Sequence, residues 1–233
     1  MNIVSGPPFA WFVTGTDTGV GKTLVAGALV RAQVRRGLRA AGMKPVAAGA
    51  RWLEGEWRNE DVDLLAAAGN VSVARSALCQ YLFEHALAPH IAAELAGTRI
   101  DPNEIVRAFE RLRGLADAVI VEGVGGFRVP LAPGFDTADL ACRLALPVVL
   151  VVGVRLGCLN HAALTAEAIA ARGLRLAGWV ANLIDPHLAQ VQRNLGSLKE
   201  LLPAPCLGCV PHLPTPSSEE ALRHLDTDQL DRN

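Results

Sequence analysis

A chain of 233 residues with 51% hydrophobic and 19% charged residues carries enough apolar surface for a core covered on both faces of a sheet, which excludes a disordered chain. A formal net charge of -1 leaves no basic excess to neutralise a nucleic-acid backbone, so nucleic acid is not an expected partner. The length fits a single α/β domain over residues 1–233, with 214–233 as a polar C-terminal extension.

In chain order, residues 1–8 contain no basic segment leading an apolar run, and 9–13 are too short for a signal peptide. No apolar stretch approaches the roughly 20 residues that span a bilayer, so no membrane is expected. Residues 10–14 read as a buried strand and 22–36 as a helix. Between them runs Gly15-Thr16-Asp17-Thr18-Gly19-Val20-Gly21-Lys22-Thr23, a glycine-rich turn in the strand-to-helix context that a P-loop requires. Backbone N–H groups at such a helix start can surround phosphate oxygens, and glycine removes side chains that would block their approach. Lys22 would reach the β and γ phosphates, and the Thr23 hydroxyl would bind Mg2+. The common pattern has four residues before the Gly-Lys pair, whereas Gly15 and Gly21 here enclose five.

A second strand is expected over 38–43, ending at Lys44-Pro45; on spacing alone Lys44 reads equally well as an exposed turn lysine. Residues 51–59, with Trp52 and Trp57 among charges, read as a mobile loop and a cover. Glu60, Asp61 and Asp63 open a helix over 61–68, where carboxylates serve either as ligands or as a dipole-favoured start. Helices follow over 89–95 and 102–116, the second with Asp101 as N-cap, Pro102 at its first position and Glu104 in its first turn. The strand 118–121 runs into Glu122-Gly123-Val124-Gly125-Gly126, an acidic strand end facing the crevice where open α/β sheets bind ligands. The remainder alternates as helix 136–144, strand 148–152, helix 161–172 stopped by Gly173, strand 177–181, helix 187–202 and strand 206–210. Asn182, just past a strand, is by type a turn residue. Beyond 214, Ser217, Ser218, Glu219 and Glu220 suggest a short capped surface helix. The alternation predicts a three-layer fold of P-loop NTPase type, a mostly parallel twisted sheet with helices on both faces.

The five cysteines are odd in number and scattered over a chain that needs no staples, which points to reduced thiols and the cytoplasm. Cys206 and Cys209 have metal-ligand spacing but no second pair follows, so zinc is not expected. A nucleotide switch of the partition or septum-site type would characteristically carry an extra lysine early in the loop, and 14–18 have none. An amide-forming synthetase of the cobyrinate type would need a glutamine-hydrolysing domain, for which there is no room.

Several segments in the same order resemble one enzyme family, the dethiobiotin synthetases of biotin biosynthesis. Gly15 to Thr23 is similar to that family's form of the loop, including its extra residue. Gly42-Met43-Lys44-Pro45-Val46-Ala47-Ala48-Gly49, Val121 to Gly126, Gly157-Cys158-Leu159-Asn160-His161 and Gly178-Trp179-Val180-Ala181-Asn182 carry the likeness across nearly the whole chain. The resemblance implies an ATP-dependent ligase acting on ATP, CO2 and 7,8-diaminononanoate. One amine becomes a carbamate, the carbamate takes the γ-phosphoryl group, and the neighbouring amine displaces phosphate to close the ureido ring. It further implies Lys44 and Lys22 as catalytic residues, and Thr23, Asp61 and Glu122 as Mg2+ ligands. Nucleotide contacts are implied at Thr18, Gly19, Val20, Gly21, Lys22, Thr23, Leu24, Asp61, Glu122, Gly123, Val124 and Gly125, with Asn182 and Leu183 at the adenine. Pro211, His212 and Leu213 resemble a second nucleotide-contacting stretch. Lys44, Ala48 and Asn160 are implied at the substrate, Asn160 across the interface of a homodimer. The family often has serine where Ala48 stands, so this position offers a backbone contact at most. Some members carry an acidic residue where Gly19 stands. Phosphoryl transfer to a carbamate oxygen needs no histidine, so His85, His90 and His161 are read as structural or substrate-lining.

Overall fold

A computed structural model describes residues 9–230, so the readings of 1–8 and of the last three residues of the C-terminal extension lie outside the described residues. The first half of the chain runs β1 (Phe9–Gly15), α1 (Lys22–Arg35), β2 (Ala40–Met43), β3 (Val46–Ala48), β4 (Arg51–Leu53), β5 (Glu56–Arg58), α2 (Glu60–Ala68), α3 (Arg75–Leu78), β6 (Tyr81–Phe83), α4 (Pro89–Leu95) and α5 (Pro102–Arg113). The second half runs β7 (Ala118–Glu122), β8 (Pro130–Ala132), β9 (Phe135–Asp136), α6 (Thr137–Leu144), β10 (Val148–Val154), α7 (Cys158–Ala171), β11 (Leu176–Leu183), α8 (Val191–Leu201), β12 (Cys206–Val210) and α9 (Ser218–Leu222), then a 3-10 turn over Thr227–Leu230.

Six strands form one parallel sheet in the order β12-β11-β10-β1-β7-β2. Their near-continuous apolar runs follow from burial on both faces. Because successive side chains alternate, Trp11, Val13, Ile120, Val149 and Val151 pack on one face with α1, α2 and α9. Phe12, Val119, Val121 and Val148 turn the other way and pack with α5 and α6. Leu150, Val152, Trp179 and Ala181 continue that second layer with α7 and α8. The order reverses beside β1, which brings the carboxyl ends of β1, β7 and β10 together at a switch point, the place where open α/β sheets bind ligands.

The six expected strands and seven expected helices are present, with shifted ends. Strand β2 begins at Ala40 rather than 38, because Leu38 still completes the end of α1 through its N–H to Gln33 and Arg39 is held by Asp117. Asp101 caps α5 by accepting from the Asn103 N–H, and Gly173 takes a positive φ of 68° just past α7, both as expected. Helix α7 starts three residues early, at Cys158, because Gly157 at φ 92° turns the chain directly into it.

Two expectations are corrected. The stretch 51–59 is not a loop for most of its length: β4 and β5 pair antiparallel through a two-residue turn, Glu54-Gly55, both at positive φ. Trp52 and Trp57 face each other across it and remain exposed. The C-terminal segment is not a surface appendage either, since Ala221 and Leu222 are buried against α1 and Leu230 is buried beside β11 and β12. Ser217 makes no side-chain cap, and Ser218 is buried where a side chain on Gly27 would collide with it. Truncating Leu222 to alanine should therefore cost about 2–3 kcal/mol, read as a lower denaturant midpoint; a surface helix would lose less than about 0.5 kcal/mol.

Candidate active site

The glycine-rich turn links β1 to α1 and lies between the ends of β7 and β10. Its conformation needs glycine at two points. Gly19 has φ 74° and Gly21, the N-cap of α1, has φ 89°. Behind Gly21 stands Asn182 at the end of β11, whose Nδ2 donates to the Val20 carbonyl at 2.9 Å. The loop is held from β10 as well: the Gly153 N–H donates to the Thr16 hydroxyl at 3.3 Å, and Arg155 pairs with Asp17 at 2.5 Å. Lys22, 6% exposed, donates to the Asp17 carbonyl at 2.9 Å. Burial pulls its ammonium down to about 8, with Glu122 opposing that shift.

Lys44, Asp61, Glu122 and Thr23 form one hydrogen-bonded cluster beside this loop. Glu122 ends β7 with its side chain inaccessible, and the Thr23 hydroxyl donates to its Oε1 at 2.9 Å. Lys44, 5% exposed at the end of β2, donates to the same Oε1 at 2.6 Å and to Asp61 Oδ2 at 2.5 Å. Burial works against the Lys44 ammonium, but Glu122 and Asp61 more than offset it and hold it charged above its ordinary range. Burial also pushes the Glu122 carboxyl up despite Lys44, whereas in Asp61 the same ammonium outweighs burial and holds the carboxyl down. Lys44 is thus no exposed turn residue.

The three carboxylates at the start of α2 separate by partner. Asp61 turns to Lys44, Asp63 to Arg58 and Arg75, and Glu60 stays exposed, 3.8 Å from Arg51. None of them supplies the cap, which comes from Asn59, accepting from the Asp61 and Val62 N–H groups at 3.1 and 3.3 Å. Among the described residues the buried Glu122 Oε2 has no hydrogen-bond partner, an acceptor left over in the cluster. With the Thr23 hydroxyl and Asp61 it makes an all-oxygen donor set that fits a hard cation such as Mg2+.

Other expected site residues are placed less tightly. Gly123 donates its N–H to the Val13 carbonyl, close beneath the Phe12 ring. Val124 is half-buried, and Gly125 takes φ 65° over Val129 and near Thr18. Thr18 is exposed, its N–H bound to Asp17, while Leu24 is buried in the α1 core. Leu183 ends β11, and Pro211, His212 and Leu213 follow β12, with Leu213 packed against the α1 side. Ala48 ends β3, its carbonyl accepting from Asn59 at 3.2 Å. Asn160 lies exposed on the first turn of α7 and does not join the Lys44 cluster. His90 lines a separate cavity of about 1160 Å3 between α4 and the β8–β9 turn, with Glu94 and Arg99. Asn59 and Arg155 were not singled out in the sequence; Asn before an acidic helix start was the one readable signal.

The parallel sheet, the phosphate-type loop and the acidic end of the adjacent strand define an α/β P-loop NTPase fold. Solved structures agree on the fold: septum site-determining MinD from Pyrococcus horikoshii OT3, complexed with Mg-ADP, aligns with TM-score 0.55 at 14% identity, covering 97% of this chain and 90% of that one. A ParA family ATPase from Chlorobium tepidum TLS aligns with TM-score 0.55 at 13% identity, covering 96% and 95%. The model of a family described as an AAA domain matches residues 10–220. Curated relatives are far nearer. A protein of Aromatoleum aromaticum named ATP-dependent dethiobiotin synthetase BioD is 58% identical, covering 88% of this chain and 92% of its own. One of the same name from Ralstonia nicotianae is 54% identical, covering 94% and 95%. The chain belongs to the ATP-dependent dethiobiotin synthetase family, within the P-loop ATPases.

Proposed function

We propose that this chain closes the ureido ring of dethiobiotin from 7,8-diaminononanoate, CO2 and ATP, as a single domain in a cytoplasmic homodimer. The observation that carries this reading is the burial of Lys44 between Asp61 and Glu122, one hydrogen bond from the P-loop through Thr23. A nucleotide switch needs a phosphate loop and a magnesium carboxylate. The extra lysine of a partition-type switch comes from the loop itself, whereas the second ammonium here comes from the end of β2 and stands between Asp61 and Glu122. That position suits a reaction joining a carbamate to a transferring phosphate, because two anionic oxygens must approach.

In the mechanism, one substrate amine adds to CO2 and loses a proton to give a carbamate. A carbamate oxygen attacks the γ-phosphorus as the bond to ADP breaks, and the second amine then attacks the carbonyl carbon and expels phosphate. Lys22 leaves the Asp17 carbonyl to follow the β and γ phosphates, and Lys44 faces the carbamate and the moving phosphoryl group. Thr23, Asp61 and Glu122 hold Mg2+, which when bound neutralises phosphate charge. Loop N–H groups from Thr18 to Leu24 and the turn Gly123 to Gly125 line the phosphates. Asn182 and Leu183 meet the adenine with Pro211, His212 and Leu213 opposite; one Asn182 N–H is committed to Val20, which leaves its carbonyl and second N–H for the base. Ala48 offers only its backbone to the substrate. Asn160 reaches the substrate of a second copy, consistent with its exposure and with Leu156 standing 90% exposed four residues before it.

Phosphate release tests the reading. With Mg2+ and ATP, purified protein should release phosphate only when the diamine and bicarbonate are both present. Equal release without the diamine would favour a switch and overturn the synthetase assignment.

A further inference from the structure

We infer that Asn59 is a positioning residue for this reaction: its amide clamps the segment ending at Ala48 to the turn of α2 that carries Asp61, and so fixes how Lys44 meets Asp61 and Glu122. The inference rests on the reading that this cluster performs the chemistry. Asn59 is 9% exposed and uses both ends of its side chain. Nδ2 donates to the Ala48 carbonyl at 3.2 Å, while Oδ1 accepts from the Asp61 and Val62 N–H groups at 3.1 and 3.3 Å. Its own carbonyl accepts from the Asp63 N–H at 3.0 Å.

These bonds close a ring. From Lys44 the chain runs through β3 to Ala48, crosses the amide to Asn59, enters α2 at Asp61 and returns to Lys44 through the 2.5 Å ion pair. Outside the ring lies the excursion 49–58, which leaves β3 at Gly49 and folds as the exposed β4–β5 hairpin. That excursion alone would fix the spacing of its two ends poorly. The clamp sets it at the base, and the pairing of Arg58 and Arg75 with Glu56 and Asp63 keeps the hairpin against α2. Aspartate and serine cap a helix as well as asparagine does, but ionised aspartate has no donor, and serine has a single short hydroxyl in place of the separate Nδ2 arm that spans to the Ala48 carbonyl. Only asparagine serves both bonds.

The test compares Asn59→Asp and Asn59→Ser with the parent protein. Both variants keep the cap, so melting temperatures should stay within about 4 °C of the parent. Binding of Mn2+ in the presence of ADP, followed by electron paramagnetic resonance, should weaken about tenfold, with ADP affinity alone unchanged. In turnover, kcat should fall about tenfold while KM for ATP holds, a split that loss of folded protein would not produce. Mn2+ affinity and kcat within twofold of the parent in the serine variant, which adds no charge, would overturn the clamp. If the parent itself fails to turn over the diamine, the reaction reading falls, and the Mn2+ measurement still decides the clamp.

Discussion

Replacing Lys44 with alanine is expected to lower turnover by about 10²–10³-fold while the protein remains folded. The magnitude follows from removing a charge aimed at the reacting oxygens in a site shielded from water, where such groups contribute roughly 3–4 kcal/mol to the transition state. The survival of the fold is less obvious, because Lys44 is the direct partner of a carboxylate whose side chain is inaccessible to solvent. Removing one member of a buried pair costs about 3–5 kcal/mol when the remaining charge must stay. Glu122 has an alternative: burial already pushes its carboxyl up, so without Lys44 it can take a proton and stay neutral. The loss of stability should then sit at the low end of that range, within the roughly 5–15 kcal/mol of an ordinary domain. Single-turnover phosphate release and circular dichroism on the same sample separate the two effects. Retained turnover would remove Lys44 from catalysis. Adding Glu122→Gln to Lys44→Ala should restore part of the lost stability and none of the activity, because the orphaned carboxylate disappears while the ammonium is still missing.

The sheet was legible because parallel strands buried on both faces write themselves as unbroken apolar runs, and 148–152 and 118–121 carry that pattern undiluted. The phosphate loop was legible because glycine is required at fixed points by backbone geometry, as at Gly19 and Gly21. What escaped was set by contacts between residues distant in sequence. Lys44 and Glu122 stand 78 positions apart and meet only because β2 and β7 are neighbours in the sheet. From spacing alone Lys44 was ambiguous, and the family likeness singled it out. Residues 51–58 misread as a loop because a hairpin exposed on both faces lacks the alternation of polar and apolar residues that marks a half-buried strand. The C-terminal helix misread as surface because its polar residues, Glu219 and Ser218, serve as contacts to α1: Glu219 pairs with Arg31 and Arg35, and Ser218 fills the space over Gly27. Asn59 was hidden for a related reason, since its donor arm finds Ala48 only across the excursion between them.

Gly21→Ala is expected to reduce ATP affinity by at least about 100-fold, and the cause should be traceable to one neighbour. A Cβ on Gly21 would stand 2.2 Å from Asn182 Nδ2, where real carbon–nitrogen contacts do not occur. It would also occupy φ 89°, at a strain of roughly 1–2 kcal/mol for an L-residue. Something must move, and the choices are few. Asn182 is buried at the end of a central strand and bonded to Val20, so retreat breaks that bond. Otherwise the loop lifts, and its N–H groups lose their aim at the phosphates, which depends on the N-terminus of α1 being entered in this one conformation. The two contributions separate in a double variant. Asn182→Ala in the Gly21→Ala background removes the collision and leaves the strain, so ATP affinity, read by calorimetry, should recover by about tenfold without reaching the parent value. Asn182→Ala alone should weaken binding, because the Val20 carbonyl and the adenine edge both lose a partner. Opposite signs for one substitution in two backgrounds are the signature of direct contact. Equal losses in both would mean that Asn182 meets the nucleotide but does not shape the loop.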